Sequence, residues 1–325
     1  MRDHPATTMT AAIAMTLVWG CAVAPSPSSS PAPSEPPFVP SPTPVASVAL
    51  GAIPPLLVFT PSGPDQGLWR IDPNAPAPLV WAARVRVGTP RGVWEPTAPS
   101  TAGRVALTSV NEMPVRVALA QAAGDVLTPL WVRTLPDDAE RWSDGKAECV
   151  SPDGTVAVGD GGEVLYTLDS RGGLALVPGQ RNNLGECAWL DPTTLMWDQE
   201  EAEMRSWTVG AADSVPVPIR RFGPSAAGDR LAWFDDATET IRVARFQLAG
   251  NEVRVESETL GVAVPPDDHP ASPDLSVDGR WLLTLFGRAL AIYPVSETGL
   301  GELRRIPLAE AGLPGEFEIT WMPTP

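Results

Sequence analysis

From residue 55 onward, short apolar runs alternate with clusters of Gly, Pro, Asp and Asn, and the 3.6-residue recurrence of an amphipathic helix is almost absent. That rhythm predicts an all-β chain. Three segments share a turn between two apolar runs: Cys149 to Val158 with Ser151-Pro152-Asp153-Gly154, Ala188 to Trp197 with Asp191-Pro192-Thr193, and Leu275 to Leu283 with Ser276-Val277-Asp278-Gly279. Asp or Pro initiates such a turn and Gly supplies a positive φ, so the pattern has a mechanical cause. Looser copies lie at Val93 to Leu107 and Phe222 to Trp233, where Ala-rich insertions stand in place of the tight turn.

Two further strands follow each turn in a repeated order. Third strands are expected at Leu68 to Ile71, Val115 to Leu119, Val164 to Leu168, Arg205 to Val209, Ile241 to Phe246 and Leu290 to Val295. Fourth strands are expected at Pro78 to Trp81, Pro129 to Arg133, Leu174 to Val177, Val215 to Ile219, Val253 to Glu258 and Leu303 to Pro307. Four strands in roughly 35 to 50 residues is the period of propeller blades. The first unit opens at Pro55 to Thr60 without a first strand of its own, and Glu318 to Pro325 offers one. The expectation is a six-bladed β-propeller with four-stranded blades, its ring closed by the C-terminal strand pairing into blade one.

The repeat resembles that of the TolB-type propeller family, in which a Trp-Ser-Pro-Asp-Gly turn is followed by a hydrophobic strand, a loop and a strand typified by Leu-Tyr-x-x-Asp. The match is closest at Val150 to Gly154 with Val164-Leu165-Tyr166-Thr167-Leu168-Asp169, and it extends at repeat level over residues 55 to 325. The resemblance implies a propeller fold and a binding role; it transfers no catalytic residue.

The first 48 residues have a different character. Ala11 to Trp19 is apolar but too short to span a bilayer, and it ends at Gly20-Cys21, which resembles a bacterial lipoprotein signal. Residues 1–20 are accordingly expected to be a signal peptide, with Cys21 the lipidated residue; an ordinary secretory signal is the alternative. Residues 21–48 continue as a Pro/Ser-rich linker, and residues 49–325 form the propeller domain. Polyproline II at about 3.1 Å per residue would let the linker hold the domain on the order of 80 Å from a membrane. In an exported chain Cys149 and Cys187 can form a disulfide, with two separate buried thiols as the alternative.

Charge narrows the function. The net charge is −16, and the one Lys and the Arg residues form no basic block, so nucleic acid is not an expected partner. His269 is the one histidine beyond the signal, no Gly-x-Ser-x-Gly occurs, and no metal or cofactor is expected. Ser276 to Trp281 departs from a sialidase Asp-box and reads as a blade turn. In four-stranded blades the second-to-third-strand loops and the inter-blade connections share one face. Asp198, Glu200, Glu201 and Glu203, with Asp235 and Asp236, are therefore expected as an acidic binding rim, and Arg84, Arg86 and Arg91 as a basic sector near blade one.

The resulting expectation is a lipid-anchored extracytoplasmic module that binds an envelope or extracellular protein, one with a basic surface, without catalysis. The rival is a propeller hydrolase or lyase acting on envelope glycan or peptide. The two separate on whether carboxylates with raised pKa converge in a deep central channel.

Overall fold

The structure is a computed structural model. It describes residues 51–63, 66–75, 83–88, 92–136, 142, 145–160, 164–179, 184–199, 203–220, 222–235, 237–250, 252–258, 261–264, 273–287, 289–297, 299–308 and 317–323. The described elements are strands. The first are β1 (Leu56–Thr60), β2 (Gly67–Ile71), β3 (Ala83–Val87), β4 (Trp94–Pro96), β5 (Arg104–Ser109), β6 (Arg116–Ala123) and β7 (Val126–Thr134). Next come β8 (Gly145–Val150), β9 (Val156–Asp160), β10 (Leu165–Leu168), β11 (Leu174–Leu176), β12 (Leu184–Trp189), β13 (Thr194–Gln199), β14 (Glu203–Thr208) and β15 (Val215–Arg220). The last are β16 (Phe222–Ala227), β17 (Arg230–Asp235), β18 (Thr240–Ala249), β19 (Glu252–Glu258), β20 (Val262–Ala263), β21 (Asp274–Leu275), β22 (Trp281–Phe286), β23 (Ala289–Ser296), β24 (Gly299–Leu300), β25 (Arg304–Pro307) and β26 (Glu318–Trp321).

Antiparallel meanders dominate. β8 to β11 form one four-stranded sheet and β12 to β15 another; β16 to β19 form a third with β20 beside β18, and β21 to β24 a fourth with β25 beside β23. An eight-stranded sheet has the order β26-β1-β2-β3-β7-β6-β5-β4, in which the parallel step from β3 to β7 joins two meanders. The C-terminal β26 pairs with β1 from Leu56↔Trp321 to Phe59↔Glu318. Trp321 is fully buried there, and its Nε1 donates to the Asp274 carbonyl at 2.9 Å.

Each middle strand is buried on both faces, because alternate side chains enter different cores. Leu57 and Phe59 of β1 pack with Trp94, Val105 and Leu107, whereas Leu56 and Val58 pack with Trp281, Leu283 and Trp321. Val156 and Val158 of β9 join Ala106 and Val117, while Ala157 joins Trp189 and Trp197. Met196 meets Leu231 and Trp233, and Ala232 meets Leu275 and Leu282. A continuous apolar run is what such a position needs, which explains sequences such as LLVFT and WLLTLF.

Two strand expectations change. Residues 78–81 lie outside the described residues, and the partner of β2 is β3, where Val85 is buried between exposed Arg84 and Arg86. Between β16 and β17 there is no insertion: Ala226 and Ala227 are strand residues, and Gly228-Asp229 closes a tight hairpin with Gly228 at φ 62°.

Candidate functional site

The edge strands β4, β8, β12, β16, β21 and β26 surround a cavity of about 380 Å³, within the usual range for a small ligand. It collects Glu95, Lys146, Glu148, Glu186, Asp274 and Glu318 among small and apolar residues that include Ala147, Ala226 and Ile319. Five carboxylates thus line the cavity with the single lysine of the chain, and Glu95, Glu148, Glu186 and Glu318 act on its charge.

Strand irregularities aim two of these carboxylates. On β8 the register passes from Ala147↔Val158 to Cys149↔Ala157, so Glu148 is the extra residue of a β-bulge. On β12 it passes from Leu184↔Gln199 to Cys187↔Trp197, placing Glu186 in a second bulge. β-Bulges redirect side chains and are frequent beside functional sites. The residues that follow, Cys149 and Cys187, form a disulfide between neighbouring sheets, with Cα atoms 5.8 Å apart. The strands that present Glu148 and Glu186 are therefore covalently tied together. Gly159, across the ladder from Lys146, leaves room for Glu148, since a Cβ there would come within 2.8 Å of Oε1.

Lys146 Nζ stands 3.9 Å from Oε1 of Glu95 and 3.9 Å from Oε2 of Glu148. Glu148 foremost, then Glu95, Glu318 and Glu186, hold its pKa above the ordinary lysine value against burial. Burial pushes Glu148 up to about 7 against the pull of Lys146, and the neighbouring carboxylates add to the rise. Glu318 is accessible to the cavity yet ringed by protein, and burial, then Glu95, push it to about 7. Asp274 is pushed to about 6 by burial, although it accepts from Thr320 Oγ1 at 2.6 Å and Ser225 Oγ at 3.2 Å. Asp274 thus links β21 to both β16 and β26.

Of the acidic rim expected from sequence, Asp198 and Asp235 are not free rim charges. Asp198 is buried, and its Oδ2 accepts the Gly223 N–H at 3.1 Å. That N–H belongs to a third bulge, on β16 between Phe222↔Phe234 and Ser225↔Ala232. Burial raises its pKa to about 7. Asp198 therefore caps a backbone irregularity and presents no rim charge. Asp235 is held by Arg242 Nε at 2.9 Å, which neutralises it locally. Glu203 begins β14, whereas Glu200, Glu201 and Asp236 lie outside the described residues, as do Arg91 and His269. Arg84 donates to the Gln66 carbonyl and lies over the Trp69 ring.

Ser276 to Trp281 is a blade-type turn: Ser276 Oγ bonds Asp278 Oδ1 at 2.6 Å and accepts the Trp281 N–H at 3.0 Å, and Gly279 has φ 64°. Ser151, Asp153 and Gly154 repeat it between β8 and β9. The cavity charges were not singled out by any motif. Their one sequence signal is a charged residue inside an otherwise small or apolar first strand, as in Lys146-Ala147-Glu148-Cys149.

No protein-family model matches the chain, and no curated protein matches it. Among solved structures it is similar to a Lactobacillus plantarum protein over 78% of this chain and 83% of that one, at 14% identity and TM-score 0.44. It is similar to a Bacteroides fragilis protein named as a candidate 6-phosphogluconolactonase over 78% and 80%, at 14% identity and TM-score 0.46. The similarity to TolB from Acinetobacter baumannii covers 83% of this chain and 66% of that one, at 14% identity and TM-score 0.50. Taken with the strand order and the repeated turns, the likeness to TolB gives this chain the TolB-type β-propeller fold.

Proposed function

We propose that the chain is a six-bladed, ring-closed propeller, exported and held to a membrane through Cys21, that binds a basic segment of an envelope or extracellular protein without catalysing a reaction. The observation that carries the binding role is the central cavity, which five carboxylates and one lysine line in a space of ligand size. Closure is supported by the β1–β26 ladder and by the apolar cluster that β1, β2 and β26 share with β22 and β23. Anchoring rests on the Val18-Trp19-Gly20-Cys21 sequence, and Cys21→Ser should release the protein from the membrane fraction. Sedimentation of that variant with membranes after a salt wash would remove the anchor from the proposal.

The test of binding is the affinity of the full chain for a lysine-rich peptide across a salt series. Glu148→Gln with Glu186→Gln should weaken it by about tenfold and flatten its salt dependence, while Glu252→Gln with Glu302→Gln, outside the cavity, should not. Equal losses in both pairs would reduce the effect to the net charge of the molecule.

A second reading, a hydrolase or lyase acting on envelope glycan or peptide, has one observation in its favour: Glu148 and Glu318 both titrate near 7 in the cavity. Acid–base catalysis by two carboxyl groups works best when their environments push the two pKa values apart. The convergence of raised carboxyls in one cavity is the feature expected of this rival; against it, both values rise together instead of parting into an acid and a base, and binding is preferred on that ground. Turnover of envelope glycan or peptide that is lost in Glu148→Gln would reverse that preference.

A further inference from the structure

We infer that Lys146 is an internal occupant of the central cavity, standing where the ammonium or guanidinium group of a ligand binds, and that it must swing aside for that ligand to enter. The inference rests on the binding reading above and names the chemistry the site accepts. Lys146 is the only lysine in the chain, and it extends among carboxylates from four strands. Glu148 lies on its own strand, Glu95 on β4, Glu186 on β12 and Glu318 on β26; β21 adds Asp274, and β16 presents only uncharged Pro224, Ser225 and Ala226.

Above the values near 7 at which Glu148 and Glu318 release their protons, one ammonium faces Glu95, Glu148 and Glu318, so the carboxylates outnumber it. The excess will attract a further cation, and the best position for it, between Glu95 and Glu148, already holds Nζ. The hold is loose. Both distances are 3.9 Å, beyond the 2.7–3.2 Å of a direct N–H···O hydrogen bond, and the side chain is 47% exposed. A compact charge on a flexible four-carbon stem can leave such a position by rotation alone. Glu148 and Glu186, by contrast, are set on bulged strands tied by the Cys149–Cys187 disulfide. A fixed anionic frame with one movable internal cation is the arrangement of a self-competed site.

Removing Lys146 has two consequences with opposite signs, and pH separates them. It vacates the position, which favours an incoming cation. It also withdraws the charge that opposes the rise of the Glu148 pKa, so Glu148 stays protonated to higher pH. Measurement at about pH 8.5 keeps Glu148 mostly ionised, and the vacancy then dominates; near pH 6 the gain should vanish.

The experiment is calorimetric titration of the full chain with a capped tetralysine peptide at about pH 8.5. Lys146→Gln should bind about tenfold tighter than the parent, Lys146→Arg should stay within about twofold, and Arg171→Gln, which removes an exposed cation outside the cavity, should not change. Unchanged or weaker binding by Lys146→Gln overturns the inference, as does equal tightening by Arg171→Gln. Because the chain has a single lysine, acetylating the folded parent neutralises the same group without a substitution, and acetylated Lys146→Arg, in which only an α-amino group can react, is the control. Acetylated protein must tighten likewise, and this arm decides the matter should Lys146→Gln fold poorly. If the parent's binding does not depend on Glu148 and Glu186, the binding reading itself fails; if it does and neither Lys146→Gln nor acetylation alters it, only the present inference fails.

Discussion

Asp198 Oδ2 holds the Gly223 N–H while Oδ1 is buried without a hydrogen-bond partner, and the carboxyl titrates near 7. Glu148 and Glu318 share that value and Asp274 lies near 6, with burial the largest cause in each. A carboxyl whose folded pKa is raised keeps its proton in the folded chain over a range where the unfolded chain has released it. Stability therefore falls as pH rises from the ordinary carboxyl value to the folded one, here from about 4 to 7. The groups with lowered values, Asp72, Asp169 and Asp278, act in the opposite sense but only below their ordinary 3.8. The melting temperature should accordingly be higher near pH 5.5 than near pH 8, and Asp198→Asn should flatten that slope by several degrees, on the order of 1–2 kcal/mol. A melting temperature that climbs steadily from pH 5.5 to 8 would contradict the burial of these carboxyls. Sequence alone misplaced Asp198 because loop acids usually face solvent. Its role depends on a bulge in a neighbouring strand, 25 residues away along the chain.

At the scale of elements, most strands were legible because their signals are local. Apolar runs bounded by turn residues gave β10, β14 and β23 nearly at their observed ends and the starts of β6 and β18, which run on to Ala123 and Ala249, and Asp-Gly chemistry fixed the turns after β8 and β21. The bulges were not legible. A one-residue slip exists only relative to a paired strand, so nothing in Glu148-Cys149 or Glu186-Cys187 marks it. The same holds for the cavity, whose charges come from strands far apart in sequence. The disulfide joins two of those strands across 38 residues. Loop-closure entropy for that span amounts to roughly 4 kcal/mol, and replacing both cysteines with alanine should lower unfolding stability by about that much in a denaturant titration. Peptide binding should weaken as well, since the frame carrying Glu148 and Glu186 loses its tie. A double variant within about 1 kcal/mol of the parent would show that pairing and apolar packing hold β8 and β12 without it.

For the whole molecule, the decisive segment is the last strand. β26 is four residues long, yet it pairs with β1 along Leu56, Leu57, Val58 and Phe59, which begin the opposite end of the described chain. Its removal would expose that ladder edge and take Trp321 from a core it shares with Ile53, Leu283 and Ile292. The Thr320 hydroxyl that Asp274 accepts would go too, leaving a buried carboxylate with one fewer donor. It would also delete Glu318, one of the cavity carboxylates, so stability and binding fall together. Burial of one such tryptophan is worth roughly 2–3 kcal/mol before the ladder is counted. A chain ending at Phe317 should melt at least ten degrees below the parent or fail to fold, at the usual 2–4 °C per kcal/mol for a domain of this size class. Trp321→Phe separates the two contributions: it keeps the ladder, loses the 2.9 Å bond to the Asp274 carbonyl, and should cost only a few degrees. Should the truncated chain melt within a degree or two of the parent, β26 would be an appendage to β1 and ring closure would have to be abandoned.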